Sequence, residues 1–154
     1  MRLYISGILS VVEKITITKK GFPMSKHIDA CNTCIVQCEK CIHTAQDCCA
    51  HCKPGAPSNH INVSCQNECK KTVQECHACI EACKEHMKHC NNERCLKACE
   101  QCIKKCYDCI LQCQACVDNC ATSDAACAVS CKECVEACNE CIQACDECIE
   151  NSCC

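Results

Sequence analysis

Thiol and small apolar side chains recur along most of this chain at alternating steps of three and four, and lysine, glutamate and other polar residues fill the positions between. In one run, Cys95, Cys99, Cys102, Cys106, Cys109, Cys113, Cys116 and Cys120 follow steps of 4, 3, 4, 3, 4, 3 and 4. A helix carries residues so spaced on a single face, and a mean step of 3.5 residues is the a/d seam of a helix bundle. Of the 30 cysteines, 27 lie on this grid and only Cys49, Cys153 and Cys154 lie off it.

Interruptions of the grid predict four helices. The first covers about residues 25–53 and presents His27, Cys31, Cys34, Cys38, Cys41, Ala45, Cys48 and Cys52 on its seam. Pro54, Gly55 and Pro57 stop it, since neither residue type continues a helix well. The second covers about residues 61–91, with Cys65, Cys69, Thr72, Cys76, Cys79, Cys83, His86 and Cys90 on the seam. Asn91-Asn92 reverses the chain into the third, residues 93–120, which carries the eight-cysteine run above. After a turn at residues 121–124 the fourth runs to about residue 150, with Cys127, Cys131, Cys134, Cys138, Cys141, Cys145, Cys148 and then Ser152. Thr122 or Ser123 is placed to cap it, and Asp124 suits its first turn. Helices of about 28 residues are roughly 42 Å long. Matched lengths and short links predict an all-α fold, an antiparallel up-down-up-down four-helix bundle with a cysteine-lined core, occupying residues 24–154.

The residue after many seam cysteines is aliphatic, as at Ile35, Ile42, Val73, Ile80, Leu96, Ile103, Ile110, Val117, Val135, Ile142 and Ile149. Alanine occupies the other flank at Ala82, Ala98, Ala137 and Ala144. The buried stripe is therefore wider than a coiled-coil seam, wide enough for a globular core. These aliphatics are expected to pack within the chain. Cys49 falls on this flank and reads as packing.

Composition sharpens the picture. There is one Phe, no Trp and two Tyr, so cysteine must supply core volume, which it can as a small hydrophobe. Net charge is -3, which offers nothing to a nucleic acid. No apolar run approaches the length that spans a bilayer. Residues 1–23 contain no cysteine and share no period with the rest. They are expected to be a non-core N-terminal extension, with Met24 as a plausible translation start. A minor anchor or targeting role is the alternative. Without them the chain keeps twelve basic and eighteen acidic side chains, or -6.

The ladder of thiols admits three chemistries. Disulfides fit it poorly, because Cβ atoms one helical turn apart are about 5–6 Å from each other and a disulfide wants about 3.8 Å. Zinc or cadmium would use the cysteines in closed sets of four, and iron–sulfur clusters need few cysteines with wrapping loops. Copper(I) is selected by soft thiolates, and a metal bridges the turn-to-turn gap that a disulfide cannot. Eleven C-x-x-x-C pairs offer such bridges, among them Cys34/Cys38, Cys48/Cys52, Cys65/Cys69 and Cys141/Cys145. Copper(I) is thus the leading ligand, with a zinc or cadmium sink and a thiol redox protein as alternatives. An enzyme is not expected: a redox enzyme needs one distinguished low-pKa thiol, and this ladder does not single one out.

On these C-x-x-x-C pairs and the four-helix spacing, the chain from Met24 to Cys154 resembles the bacterial copper storage proteins. The resemblance implies a core that holds many Cu(I) ions and a homo-oligomer, commonly a tetramer. It implies cytosolic or exported copper sequestration, and the lack of a convincing export signal points to the cytoplasmic branch, with a copper chaperone or a low-molecular-weight thiol as an expected donor. No nucleic-acid or membrane partner is implied.

Antiparallel topology brings one end of every helix together around His27, His86, Met87, His89, Cys90, Cys95, Cys148, Cys153 and Cys154. His27 and His86 occupy seam positions and are expected to be metal ligands there, guiding copper inward. His43 and His77 fall on outward faces. His51 and His60 lie toward the other end. Ala45 and Thr72 read as filler where a thiol is missing.

Overall fold

The computed structural model describes residues 26–51, 60–121 and 124–152. Expectations for residues 1–23, the proline-rich link, Thr122, Ser123, Cys52, Cys153 and Cys154 fall outside them, as does the side chain of His60. Four helices make up nearly all of the described chain: α1, Lys26–His51; α2, His60–Met87; α3, Glu93–Cys120; α4, Asp124–Glu150. Each packs against its neighbours in sequence, and α1 closes the ring against α4. The result is an antiparallel four-helix bundle, as the seam periodicity predicts.

The α2–α3 turn departs from the expected boundary. α2 ends at Met87, not near residue 91. Lys88 and His89 donate their backbone N–H groups to Glu85 and His86 carbonyls at 3.3 and 3.1 Å, tightening the last turn. Asn92 then adopts an extended backbone and its side-chain oxygen accepts from the Cys95 N–H at 3.0 Å, capping α3. Cys90 therefore lies in the turn beyond α2 rather than on its seam. It remains buried, with its thiol 3.8 Å from the Asn92 carbonyl.

The core is sulfur. Every seam cysteine of the described residues is buried, most of them completely. Ile80, Ile110, Ala137 and Ala144 are buried beside them, and Ile35, Ile42, Val73, Leu96, Ile103, Val117, Val135, Ile142 and Ile149 pack partly buried along the flanks. Charged residues face water. Lys97–Glu93 and Lys71–Glu68 pair within a helix at 3.3–3.4 Å, Lys88 just beyond α2 pairs with Glu85 at 2.9 Å, and Lys105–Glu140 joins α3 to α4 at 3.5 Å. Such exposed pairs contribute little stability, about 0–1 kcal/mol each. Among the described residues no helix is long and apolar enough to cross a membrane.

Candidate metal centre

The thiols form a single ladder through the bundle, and their pairing is strictly antiparallel. Between α3 and α4 the pairs Cys99/Cys148, Cys102/Cys145, Cys106/Cys141, Cys109/Cys138, Cys113/Cys134 and Cys116/Cys131 bring Sγ atoms within 3.6–3.7 Å. Each step forward on α3 matches an equal step back on α4. The same holds between α1 and α4 at Cys34/Cys141, Cys41/Cys134 and Cys48/Cys127, 3.4–3.7 Å apart. Between α1 and α2, Cys31/Cys79, Cys34/Cys76 and Cys41/Cys69 lie 3.7–3.8 Å apart. The α2–α3 face adds Cys65/Cys116 and Cys79/Cys102 at 3.7 Å. Because all four seams step in phase, sulfurs also meet across the bore, as Cys31 does with Cys102 and Cys69 with Cys134 at 3.9 Å.

These spacings suit metals. Four sulfurs around an ion at about 2.3 Å are separated by about 3.8 Å. Sets such as Cys31/Cys79/Cys102/Cys145 and Cys34/Cys76/Cys106/Cys141 gather their ligand atoms within 4.8 Å of one another. Turn-to-turn neighbours take part as well: Cys109/Cys113, Cys116/Cys120 and Cys127/Cys131 lie 3.7–3.9 Å apart. The cysteines of the described residues are free thiols.

Hydrogen bonding and burial govern their protons. Cys113 is pushed up by hydrogen bonds with Cys109, Cys134, Cys138 and Cys41, and by burial. Cys109 is held down by hydrogen bonds with Cys113, Cys138, Cys141 and Cys38 against its burial. Near the α3–α4 turn, hydrogen bonds from Cys120 and Cys131 bring Cys48 down to about 7. A buried thiolate is costly without a compensating cation, so a filled ladder needs metal charge to replace the protons.

At the opposite end the ladder changes character. His27, in the first turn of α1, is completely buried. Its ring stacks on that of His86, with centroids 3.7 Å apart and planes inclined by 23°. His86 Nε2 lies 3.3 Å from Cys95 Sγ, and these three side chains together with Cys99 form one potential ligand set. Burial, and then the neighbouring His86, push His27 down to about 4, so its imidazole is neutral at physiological pH. The two histidines thus meet where the topology predicts, but as a lid over the last thiols. Met87 packs partly buried against the core, whereas His89 is exposed and pairs with Glu85 at 3.6 Å. His43, His51 and His77 are exposed, and His51 Nδ1 reaches the Asp47 carbonyl at 2.7 Å.

Three polar groups inside the bundle are not evident from the grid. Thr72 is more than filler: its hydroxyl donates to the Glu68 carbonyl at 2.8 Å and lies 3.4 Å from Gln37 Nε2. Gln37, itself buried, donates to the Glu68 carboxylate at 2.7 Å. Ser130 is buried opposite Asn119, whose amide donates to it. The absence of a thiol at position 72 is the one sequence signal of this network. Cys49 is half-buried on the flank, with its thiol 3.7 Å from the Ala128 carbonyl.

Comparison with protein-family models, with curated proteins and with solved structures returns no match. Functional inference therefore rests on the ladder itself. Its cysteines are placed to hold metal ions as thiolates.

Proposed function

We propose that this bundle stores or buffers Cu(I), as the bacterial copper storage proteins that it resembles do. The observation that carries this reading is the continuity of the ladder. A structural zinc protein isolates four thiolates in a closed shell. Here many sulfurs have neighbours on several sides at nearly equal distances: Cys34 faces both Cys76 and Cys141, and Cys102 faces Cys31, Cys79 and Cys145. Bridging thiolates are what such shared positions favour, and soft Cu(I) accepts them. The ion is cargo. The protein acts by supplying sulfur, excluding water and releasing protons, with no catalytic step. A copper chaperone or a small thiol in the cytoplasm is the matching donor, and a homotetramer is the matching assembly.

A zinc or cadmium sink is the second reading, favoured by the four-sulfur sets with tetrahedral spacing. Anaerobic titration of the reduced chain against a competing Cu(I) chelator separates the two. With each thiolate bridging two coppers, the expected capacity is on the order of twenty or more Cu(I) per chain, held against the chelator. Saturation after a few ions, or ready displacement by zinc, would reject copper storage.

A further inference from the structure

We propose that His27, His86, Cys95 and Cys99 form a separate site for one divalent ion, zinc by its chemistry, at the histidine end of the sulfur ladder. Their ligand atoms all lie within 4.8 Å of one another. Tetrahedral zinc, with nitrogen at about 2.0–2.1 Å and sulfur at about 2.3 Å, needs nitrogen–sulfur edges of about 3.6 Å. The His86–Cys95 edge, at 3.3 Å, is already close to that. Binding requires the stacked rings to splay, and His86 is only half-buried.

Three observations set this group apart from the rest of the core. First, its ligands are mixed, whereas sets deeper in the bundle, such as Cys31/Cys79/Cys102/Cys145, are all sulfur. Imidazole shifts preference from the soft monovalent ion toward borderline zinc. Second, charge balances. Two thiolates and two neutral imidazoles cancel a 2+ ion, whereas the same set around Cu(I) leaves an uncompensated negative charge in a buried place. Third, continuing the α3–α4 register one rung beyond Cys99/Cys148 places Ser152, a hydroxyl, at the height of Cys95.

The site has a mechanical consequence. His27 opens α1, His86 closes α2, and Cys95 and Cys99 sit in the first two turns of α3. One ion would fasten three helices across the α2–α3 turn and shut that end of the bore. Cargo would then pass through the other end, where Cys48, Cys120 and Cys127 lie. This assignment goes beyond copper storage, and does not depend on which metal fills the ladder.

The test begins with the reduced full chain and one equivalent of Co2+, a spectroscopic substitute for zinc. Mixed nitrogen–sulfur ligand-field bands are expected. A second sample receives Zn2+, is saturated with Cu(I) and is washed with a mild divalent chelator before metal counting. One zinc per chain should survive. The variant H27A/H86A should lose zinc affinity by about tenfold or more, since two of the four ligands are gone. The variant H27C/H86C keeps four ligand atoms, and so reports even if the alanine variant unfolds: its cobalt spectrum should become sulfur-only. Complete displacement of zinc by copper, zinc retention in H27A/H86A, or an unchanged cobalt spectrum in H27C/H86C would overturn the proposal. The cobalt readout precedes any copper, so it is decided independently of the storage reading.

Discussion

Cys120 and Cys127 bring their sulfurs to 3.0 Å across the α3–α4 turn, closer than the neighbouring rungs at 3.6–3.7 Å. Cys120 also keeps about 6% of its surface exposed, whereas most ladder thiols are completely buried. This pair should be the first to oxidise in the metal-free protein. With oxidised glutathione, one thiolate attacks the small disulfide, and the second then displaces the bound glutathione to close the protein disulfide. Peptide mapping after thiol blocking should find the Cys120–Cys127 link before any other. An early link elsewhere, or random pairing, would contradict it.

Metal loading should release protons. Hydrogen bonds with neighbouring thiols, and then burial, oppose ionisation of apo-ladder thiols such as Cys113 and Cys145. Each thiol that becomes a metal ligand must give up its proton. Adding Cu(I) to the chain in weakly buffered solution should acidify it by roughly one proton per thiolate formed. A flat pH trace would mean that the thiols are not the ligands.

The metal-free bundle should lose stability as pH falls from about 6.5 to about 4. His27 is depressed to about 4 by burial and by His86. His86 is lowered too, by burial and then by His89. A depressed histidine favours the fold fully above its unfolded pKa, and the benefit disappears as pH drops through the folded value. For His27 this amounts to roughly 3 kcal/mol. Denaturant melts across that window should show wild type losing stability relative to H27L as the pH falls, and a constant difference would exclude His27 as the source.

Filling a gap in the ladder should raise capacity. Ala45 is completely buried between Cys41 and Cys48, which face Cys134 and Cys127, so the register puts it at the height of Ser130 and Cys131. Ala45→Cys adds one sulfur atom to that rung. Copper capacity should rise by about one ion with the fold retained, because bridging brings copper close to one per thiolate. Unchanged capacity in a folded variant would show that rungs do not fill independently.

Asn92→Ala should destabilise the chain by about 1 kcal/mol, the usual cost of losing an N-cap. The Asn92 side chain holds the Cys95 N–H at 3.0 Å, so the loss also loosens the first turn of α3. Chemical denaturation should show a lower midpoint with little change in slope. A variant as stable as wild type would show that water caps α3 equally well.

Much of this architecture is legible from spacing alone. The 4-3 steps of Cys95 to Cys120 place thiols on one face, and the matching steps of Cys127 to Cys148 read backward as the antiparallel partner. The gathering of His27, His86 and Cys95 follows from topology. What spacing cannot reveal is where a helix stops inside an unbroken grid. Cys90 keeps the seam interval from Cys83 and His86, yet Asn92 captures the Cys95 N–H and the chain leaves the helix first. Gln37 and Ser130 are buried because of neighbours across the helix interface, Glu68 and Asn119, that no local pattern identifies. The closure of His27 from solvent likewise depends on the ring of His86 stacked over it.

The in-phase register of the four seams also limits how this chain can change in evolution. A single inserted residue turns everything beyond it by about 100°, which would swing every later thiol on that helix into water. Seven residues bring the face back almost to where it began. Lengths should therefore vary among descendants in whole heptads, inserted at matching heights on adjoining helices. Each such increment adds two further rungs, so the amount held becomes a matter of how tall the bundle is, with no new site to invent.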